Sequence, residues 1–325
     1  MIERWKKGGE LMLRRLCWLL LLSILTVSAA HAAREKYKPF YLAYTTNGDL
    51  TKIESEVKQK LAAGNYKILA SYSPYNGARV VVITHPELLQ VAAKSEFGGY
   101  GAMVRIGMTE VEGVIQISYS NPVYSFHVYR MDEKSEEVVK GVTAQLNSIL
   151  GAEEQFGSNQ ALSTRKLRSY KYMFGMEEFD AIAQHFLAEQ GSYSDAVKIV
   201  ENNLNQGLGG AHKVYRLDIP GKDQTIFGVD MDLSRGGSEL MSDDFIMRQI
   251  DFNPLKATAH LPVEILVNGD GKIYSLYYRF RIAINFPELS MMGENSFMNI
   301  VESPEAARRV LIGVAGGEVK QDYWE

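Results

Sequence analysis

The sequence contains one cysteine in 325 residues, and that residue, Cys17, opens an apolar run close to the N-terminus. If this run is removed, the remaining chain has no thiol and can form no disulfide. Packing alone must then hold its fold, and cysteine nucleophiles and thiolate metal sites are excluded. A chain without cysteine cannot mispair thiols in an oxidising compartment, so this composition suits an exported protein.

Recognisable catalytic motifs are also lacking. The sequence has neither the G-x-S-x-G of a nucleophile elbow nor the H-E-x-x-H of a zinc protease. The glycine-rich residues 98–101 and 236–238 fit neither a P-loop nor a G-x-G-x-x-G fingerprint, and we interpret both as loops. We therefore expect no nucleotide and no other cofactor.

Metal-binding patterns are weak as well. The histidines after residue 32 are far apart in the sequence, whereas zinc sites usually contain at least one close pair. They are His85, His127, His185, His212 and His260. The methionines Met291, Met292 and Met298 could hold copper(I) through soft thioethers, but adaptable packing is the commoner use of this residue. We predict no metal site.

The overall charge is slightly negative. Hydrophobic residues make up 46% of the chain and charged residues 23%, a balance typical of globular proteins. The first 32 residues hold five of the 35 basic and two of the 39 acidic residues, so the remainder has a net charge near −7. Binding to a phosphate backbone needs a basic surface, and we therefore predict no nucleic-acid partner.

The first 32 residues have the three-part layout of a secretory signal peptide. Basic residues precede the apolar residues 16–27, and the small residues Ala30 and Ala32 follow. The apolar run is shorter than the roughly 20 residues that span a bilayer. We predict cleavage near Ala32, a periplasmic location and no stable membrane span after cleavage. The alternatives are a retained anchor and a translation start at Met12.

The rest of the chain has two similar halves. Each half contains, in order, a strand, a helix, two strands, a helix, two strands and a helix. Residues 34–150 form the first unit, residues 169–325 form the second, and the polar residues 151–168 are the predicted linker. The pattern predicts an α+β protein of two similar units, each an antiparallel sheet with helices packed on one face.

The first helix of each half shows the pattern most clearly. Leu50, Ile53, Val57 and Leu61 recur at helical spacing after Asp49, which is a good N-cap residue. The second half repeats this stripe and its cap. Turns rich in glycine and proline separate the strands of each predicted hairpin.

Three segments resemble the domain-of-unknown-function family 302. They are Leu-Pro-Val-Glu-Ile-Leu-Val at residues 261–267, His-Pro-Glu-Leu at residues 85–88 and Ser-Tyr-Ser-Asn-Pro at residues 118–122. The first half departs from the pattern, because it has Ala102-Met103 where the second has its Leu-Pro pair. The resemblance implies tandem copies of a small bacterial or archaeal α+β domain that pair within one molecule. The family has no settled activity, so the resemblance implies no catalytic residues.

Residues 272–285 are predicted to form one long strand. Its even-numbered residues, including Phe280, are apolar and are expected to face helices. The odd-numbered Tyr277, Arg279 and Arg281 are expected to face solvent or the other half, where they would line a groove for an anionic or aromatic ligand. These three are the candidate ligand-binding residues, and a solvated strand face without a ligand is the alternative.

Three classes of function remain open. The first is an exported, non-catalytic binding or interaction protein of the bacterial envelope, whose partner is a small ligand or another protein. The second is an enzyme with an unrecognised site between the two halves, and the third is a structural or assembly component tethered through a retained leader. We favour the first, because no catalytic motif is present. A cleft with clustered, perturbed carboxylates or histidines would favour the second.

Overall fold

The computed structural model describes residues 35–172 and 177–319. The predicted leader, residues 1–32, lies outside the described residues. None of the helices in the described part combines the length and the apolarity that crossing a bilayer requires.

The first half forms a six-stranded antiparallel sheet with its helices. Its elements are β1 (Lys36–Tyr37), β2 (Phe40–Thr46), α1 (Leu50–Ala63), β3 (Lys67–Tyr72), β4 (Ala78–Thr84), α2 (Pro86–Ala93), β5 (Met103–Val111), β6 (Val114–Ser120), α3 (Pro122–Val128), α4 (Glu136–Leu150) and β7 (Glu154–Phe156). The strand order in the sheet is β3-β4-β5-β6-β2-β7.

Short elements connect the two halves. They are β8 (Leu162–Ser163), α5 (Thr164–Arg168), β9 (Lys171–Tyr172), β10 (Glu177–Glu178) and α6 (Ile182–His185). β8 pairs with β1, and β9 pairs with β10. The predicted linker, residues 151–168, also contains β7, which pairs with β2 and so belongs to the first sheet.

The second half forms a five-stranded antiparallel sheet. Its elements are β11 (Phe186–Glu189), α7 (Tyr193–Asn205), β12 (Ala211–Asp218), β13 (Gln224–Met231), α8 (Asp243–Ile250), β14 (Val263–Asn268), β15 (Lys272–Ser275), α9 (Tyr278–Asn285) and α10 (Ser303–Val314). Short 3₁₀ turns lie at Gly98–Gly101, Glu133–Ser135, Leu208–Gly210, Leu233–Arg235, Glu239–Met241, Thr258–His260 and Phe297–Ile300.

The strands of the two sheets follow the same order. β12, β13, β14, β15 and β11 occupy the places that β3, β4, β5, β6 and β2 occupy in the first sheet, which adds β7 at its edge. The elements also follow each other along the chain in the predicted sequence. The predicted α+β fold with two similar units is therefore confirmed.

Helices cover the outer face of each sheet. α1 begins at its N-cap Asp49 and buries Ile53, Val57 and Leu61 against β3, β4 and β5, as the apolar stripe predicts. α4 packs beside α1. In the second half α7 packs on β12, β13, β14 and β15, and α10 packs on α7.

The inner faces of the two sheets pack against each other. Arg105, Gly107 and Thr109 point from β5 toward the second half, where Thr109 Oγ1 lies 2.5 Å from Thr258 Oγ1. Gly107 is required at this contact, because a Cβ atom there would lie 2.8 Å from the backbone nitrogen of Ala259. The molecule thus has four layers, in the order helices, sheet, sheet, helices, and an apolar core spans both halves.

The predicted long strand is wrong in its second part, because β15 is short and α9 follows it. Phe280 and Ile284 pack into the core formed mainly by residues of the first half. Tyr278 and Ile282 pack into the core formed mainly by residues of the second half. Each pair is spaced by four residues, and the two pairs are offset by two, which places them on opposite sides of the helix. A helix buried on both sides therefore produces the alternating pattern of a strand.

Candidate functional site

A cleft with a volume of about 370 Å³ opens where the two halves meet. The lining comes from residue 38, residues 156–159, residues 250–255, residue 257, residue 286 and residues 288–289. Most of its surface is apolar, and its apolar lining includes Phe156, Ile250, Phe252, Leu255, Phe286 and Leu289. Its volume lies within the roughly 300–1,000 Å³ that small-molecule sites commonly have.

Asp251 provides a carboxyl group in the cleft. It follows α8 directly and is 8% exposed. Its Oδ2 accepts a hydrogen bond from the backbone nitrogen of Ala257 at 2.9 Å, and no described residue donates one to Oδ1. Burial raises the pKa of Asp251 to about 7, although the hydrogen bond from Ala257 and the charge of Lys256 act to lower it. The carboxyl group therefore changes its charge near neutral pH.

The first half holds the loop that carries Asp251 in place. Gln116 on β6 donates from Nε2 to Pro254 O at 2.9 Å and accepts at Oε1 from Lys256 N at 2.8 Å. Ser118 Oγ donates to Lys256 O at 3.3 Å. Because these contacts cross between the halves, the cleft takes this shape only when the two sheets are packed together.

The opposite rim is also a contact between distant segments. Asn159 donates from its backbone nitrogen and from Nδ2 to the two carboxylate oxygens of Glu288, at 2.8 and 2.9 Å. Gly157, with φ at +96°, brings the chain close to Phe40, and a Cβ atom there would lie 2.8 Å from the Phe40 ring. These contacts join the segment after β7 to the segment after α9.

The three residues predicted from the sequence do not form one surface. Tyr277 and Arg279 are half-buried neighbours at the start of α9, and the Arg279 guanidinium lies 6.0 Å from the centre of the Tyr277 ring and 5.6 Å from that of Phe297. Arg281 is the largest fully buried side chain of the described residues. The prediction that Arg281 lies on the exposed face of a strand is wrong, because the residue lies on α9 with its side chain directed into the interior. Phe280 is buried as predicted. The ligand-binding role of Tyr277 and Arg279 stays a prediction.

Arg281 belongs to a buried ionic cluster between the sheets. Arg105 Nε donates to Glu264 Oε1 at 2.8 Å, and Arg281 lies 3.6 Å from Glu264 Oε2. Arg281 also donates to the backbone oxygens of His260 and Pro262, at 2.6 and 2.9 Å. Burial alone would lower the pKa of Arg105, but the adjacent Glu264 carboxylate more than offsets this and raises it. We interpret the cluster as a contact that joins the two halves.

No model of a known protein family matches the chain. No curated protein matches it. Among solved structures, it is similar to the crystal structure of the uncharacterized conserved protein DUF302 from Bacillus stearothermophilus, with 14% identity and a TM-score of 0.30. The likeness covers 33% of this chain and 94% of that one. A likeness of this size transfers no residue role to this chain.

Sequence reasoning missed the residues of the cleft. Asp251 and Phe252 open an Asp-Phe-Asn-Pro segment that has the composition of an ordinary turn. Their partners, Gln116 and Asn159, come from distant parts of the chain and have no distinctive pattern around them. The one local signal is Phe252, an aromatic residue within a polar loop. Among residues 35–172 and 177–319, no three His, Cys, Asp or Glu side chains are grouped so that they could hold a metal ion.

Proposed function

We propose that this chain is an exported, non-catalytic binding protein of the bacterial envelope, which holds a small and mostly apolar molecule in the cleft between its halves. The cleft carries the proposal, because it combines apolar walls with a few fixed polar groups, as small-molecule sites usually do. Phe252 is 41% exposed at this cleft, and a bound molecule would remove its ring from water.

Binding is favoured over catalysis by the chemistry of the cleft. General acid–base catalysis commonly uses two titratable groups whose environments displace their pKa values in different directions. The described residues that line the cleft include no histidine, and burial raises the pKa of Asp251 to about 7. Because Asn159 already holds both oxygens of the other carboxylate, Glu288, the Asp251 carboxyl group is better suited to orienting a ligand.

We further propose that the two halves are tandem copies of a domain similar to family 302. Two observations support this: the strands have the same order in both sheets, and each half contains at least one family-like segment, at residues 85–88 and 118–122 in the first and at residues 261–267 in the second. Because the inner faces of the sheets pack together, the two copies would pair within one molecule.

Export is tested by the mass of the mature protein recovered from the envelope fraction of its host. We expect a chain that begins near residue 33, because the basic, apolar and small-residue order of the leader fits cleavage there. Recovery of the intact leader, or of the protein in the cytoplasm, would contradict the proposal.

The cleft is tested by native mass spectrometry of the protein purified from its own host. We expect a bound mass that wild-type protein retains and that Phe252→Ser loses, because serine removes an apolar wall without disturbing the buried core. Leu233→Ser is the matched control, since Leu233 is 44% exposed and does not line the cleft. A bound mass that survives Phe252→Ser, or that Leu233→Ser removes equally, would place the ligand elsewhere.

A further inference from the structure

We propose that the molecule held in the cleft is an amine, with an apolar body and a protonated amino group that donates hydrogen bonds to Oδ1 of Asp251. This inference rests on the proposed function of the cleft and names the chemical class of its ligand. The inference depends on which polar groups of the cleft already have a hydrogen-bond partner and which can still accept one.

Asp251 is the buried side chain of the cleft that has capacity left for a donor. Its Oδ2 accepts from Ala257 N at 2.9 Å, whereas no described residue donates to Oδ1. Lys256 does not neutralise the carboxylate by a direct contact, because its Nζ donates to the backbone oxygen of Asp251 at 2.9 Å. An ionised carboxylate that is buried among apolar side chains needs a cation or further donors, and an ammonium group supplies both.

The other charged residues of the cleft do not take this role. Both carboxylate oxygens of Glu288 already accept hydrogen bonds from Asn159. Lys38 is the remaining charged residue of the lining, so two carboxylates face one ammonium group once Asp251 is ionised. An anionic ligand would add a like charge to this surface, whereas a cationic ligand would balance it.

The charge state of Asp251 makes amine binding depend on pH. Lys256 lies beside it on the same loop, and Lys38 and Glu288 lie at the cleft rim. Tyr75 of the β3–β4 hairpin is near enough that, after burial, the Asp251 charge helps to raise the pKa of Tyr75. With its pKa at about 7, the carboxyl group of the empty cleft is neutral in acid and ionised in weak base. Amine affinity should therefore rise as the pH increases through this range, whereas the affinity for a neutral ligand should not.

Calorimetric titration with three ligands that share one apolar body tests the inference. The ligands are 4-phenylbutylamine, 4-phenylbutanol and 4-phenylbutyrate. At about pH 8, where Asp251 is ionised and the amine is protonated, we expect the amine to bind roughly ten- to hundredfold more tightly than the alcohol, and the carboxylate to bind most weakly. At about pH 5.5 the advantage of the amine over the alcohol should largely disappear.

Asp251→Asn should remove the preference for the amine and leave binding of the alcohol nearly unchanged. The amide oxygen can still accept the hydrogen bond from Ala257, so the loop keeps its shape. Asp244→Asn is the matched control, because Asp244 lies on α8, the helix that ends directly before Asp251, and does not line the cleft. Its side chain is paired with Arg248 at 3.3 Å. This control loses the same charge and should keep the preference.

The outcomes separate the inference from the proposed function. If wild-type protein binds the alcohol and the amine equally well, and Phe252→Ser weakens both, the cleft binds apolar molecules and the amine inference is wrong. If Glu288→Gln removes the preference while Asp251→Asn retains it, the assignment to Asp251 is wrong. If none of the three ligands binds at either pH, both the inference and the proposed function are overturned.

Discussion

Replacing Glu264 by leucine should lower the free energy of unfolding by about 3–5 kcal/mol, because it leaves two buried arginines without a carboxylate. The side chains of Arg105, Glu264 and Arg281 are only 5%, 1% and 1% exposed. Among the described residues, Glu264 is the one carboxylate that pairs directly with either guanidinium. Two of the Arg281 nitrogens, Nε and Nη1, already have no hydrogen-bond partner in the described part of the chain.

Chemical denaturation of the variant measures this effect. Glu239→Leu is the control, since Glu239 is exposed and its contact with Arg248 spans 3.9 Å, so a change within about 0.5 kcal/mol is expected. The triple variant Arg105→Met, Glu264→Leu and Arg281→Met should recover much of the lost stability, because it removes the buried charges together. Equal stability of the Glu264 and Glu239 variants would show that the cluster does not hold the halves together.

The cluster also explains why the two halves pair with each other. β5 and β14 occupy corresponding places in the two sheets, and Arg105 and Glu264 both point inward from them. Two copies of the first half packed in the same way would place arginine against arginine, and two copies of the second would place glutamate against glutamate. Like charges in a buried contact are strongly unfavourable. The ion pair therefore favours association of two different halves over association of two identical ones.

The order of elements could be predicted because local chemistry decides it. The apolar stripe of α1, its N-cap Asp49 and the turns between strands are all encoded within a few residues of each other. The same reasoning recurs in each half and led to the correct fold class. Where a helix or strand packs against one core only, the spacing of its apolar residues identifies its type, whereas α9 packs against two cores and has the spacing of a strand.

The position of Arg281 could not be predicted in this way. The sequence predicts that Arg281 faces solvent or the other half, because burying an unpaired arginine costs several kcal/mol. Burial becomes favourable through partners that are distant in the sequence, here Glu264 and the backbone oxygens of His260 and Pro262. The cleft was missed for the same reason. Asp251 and Gln116 are brought to one place by the packing of the two sheets, which no local pattern encodes.

Phe280→Ala should lower the free energy of unfolding by about 3–5 kcal/mol, since it removes a fully buried ring and leaves a cavity. The ring centre lies 5.8 Å from that of His185 and 6.2 Å from that of Phe179. Because α9 packs against the cores of both halves, it cannot move toward one core to fill the gap without leaving the other. Phe252→Ala removes the same group from an exposed position and should cost much less. If thermal and chemical denaturation gave equal losses for the two variants, Phe280 would not lie between the two cores.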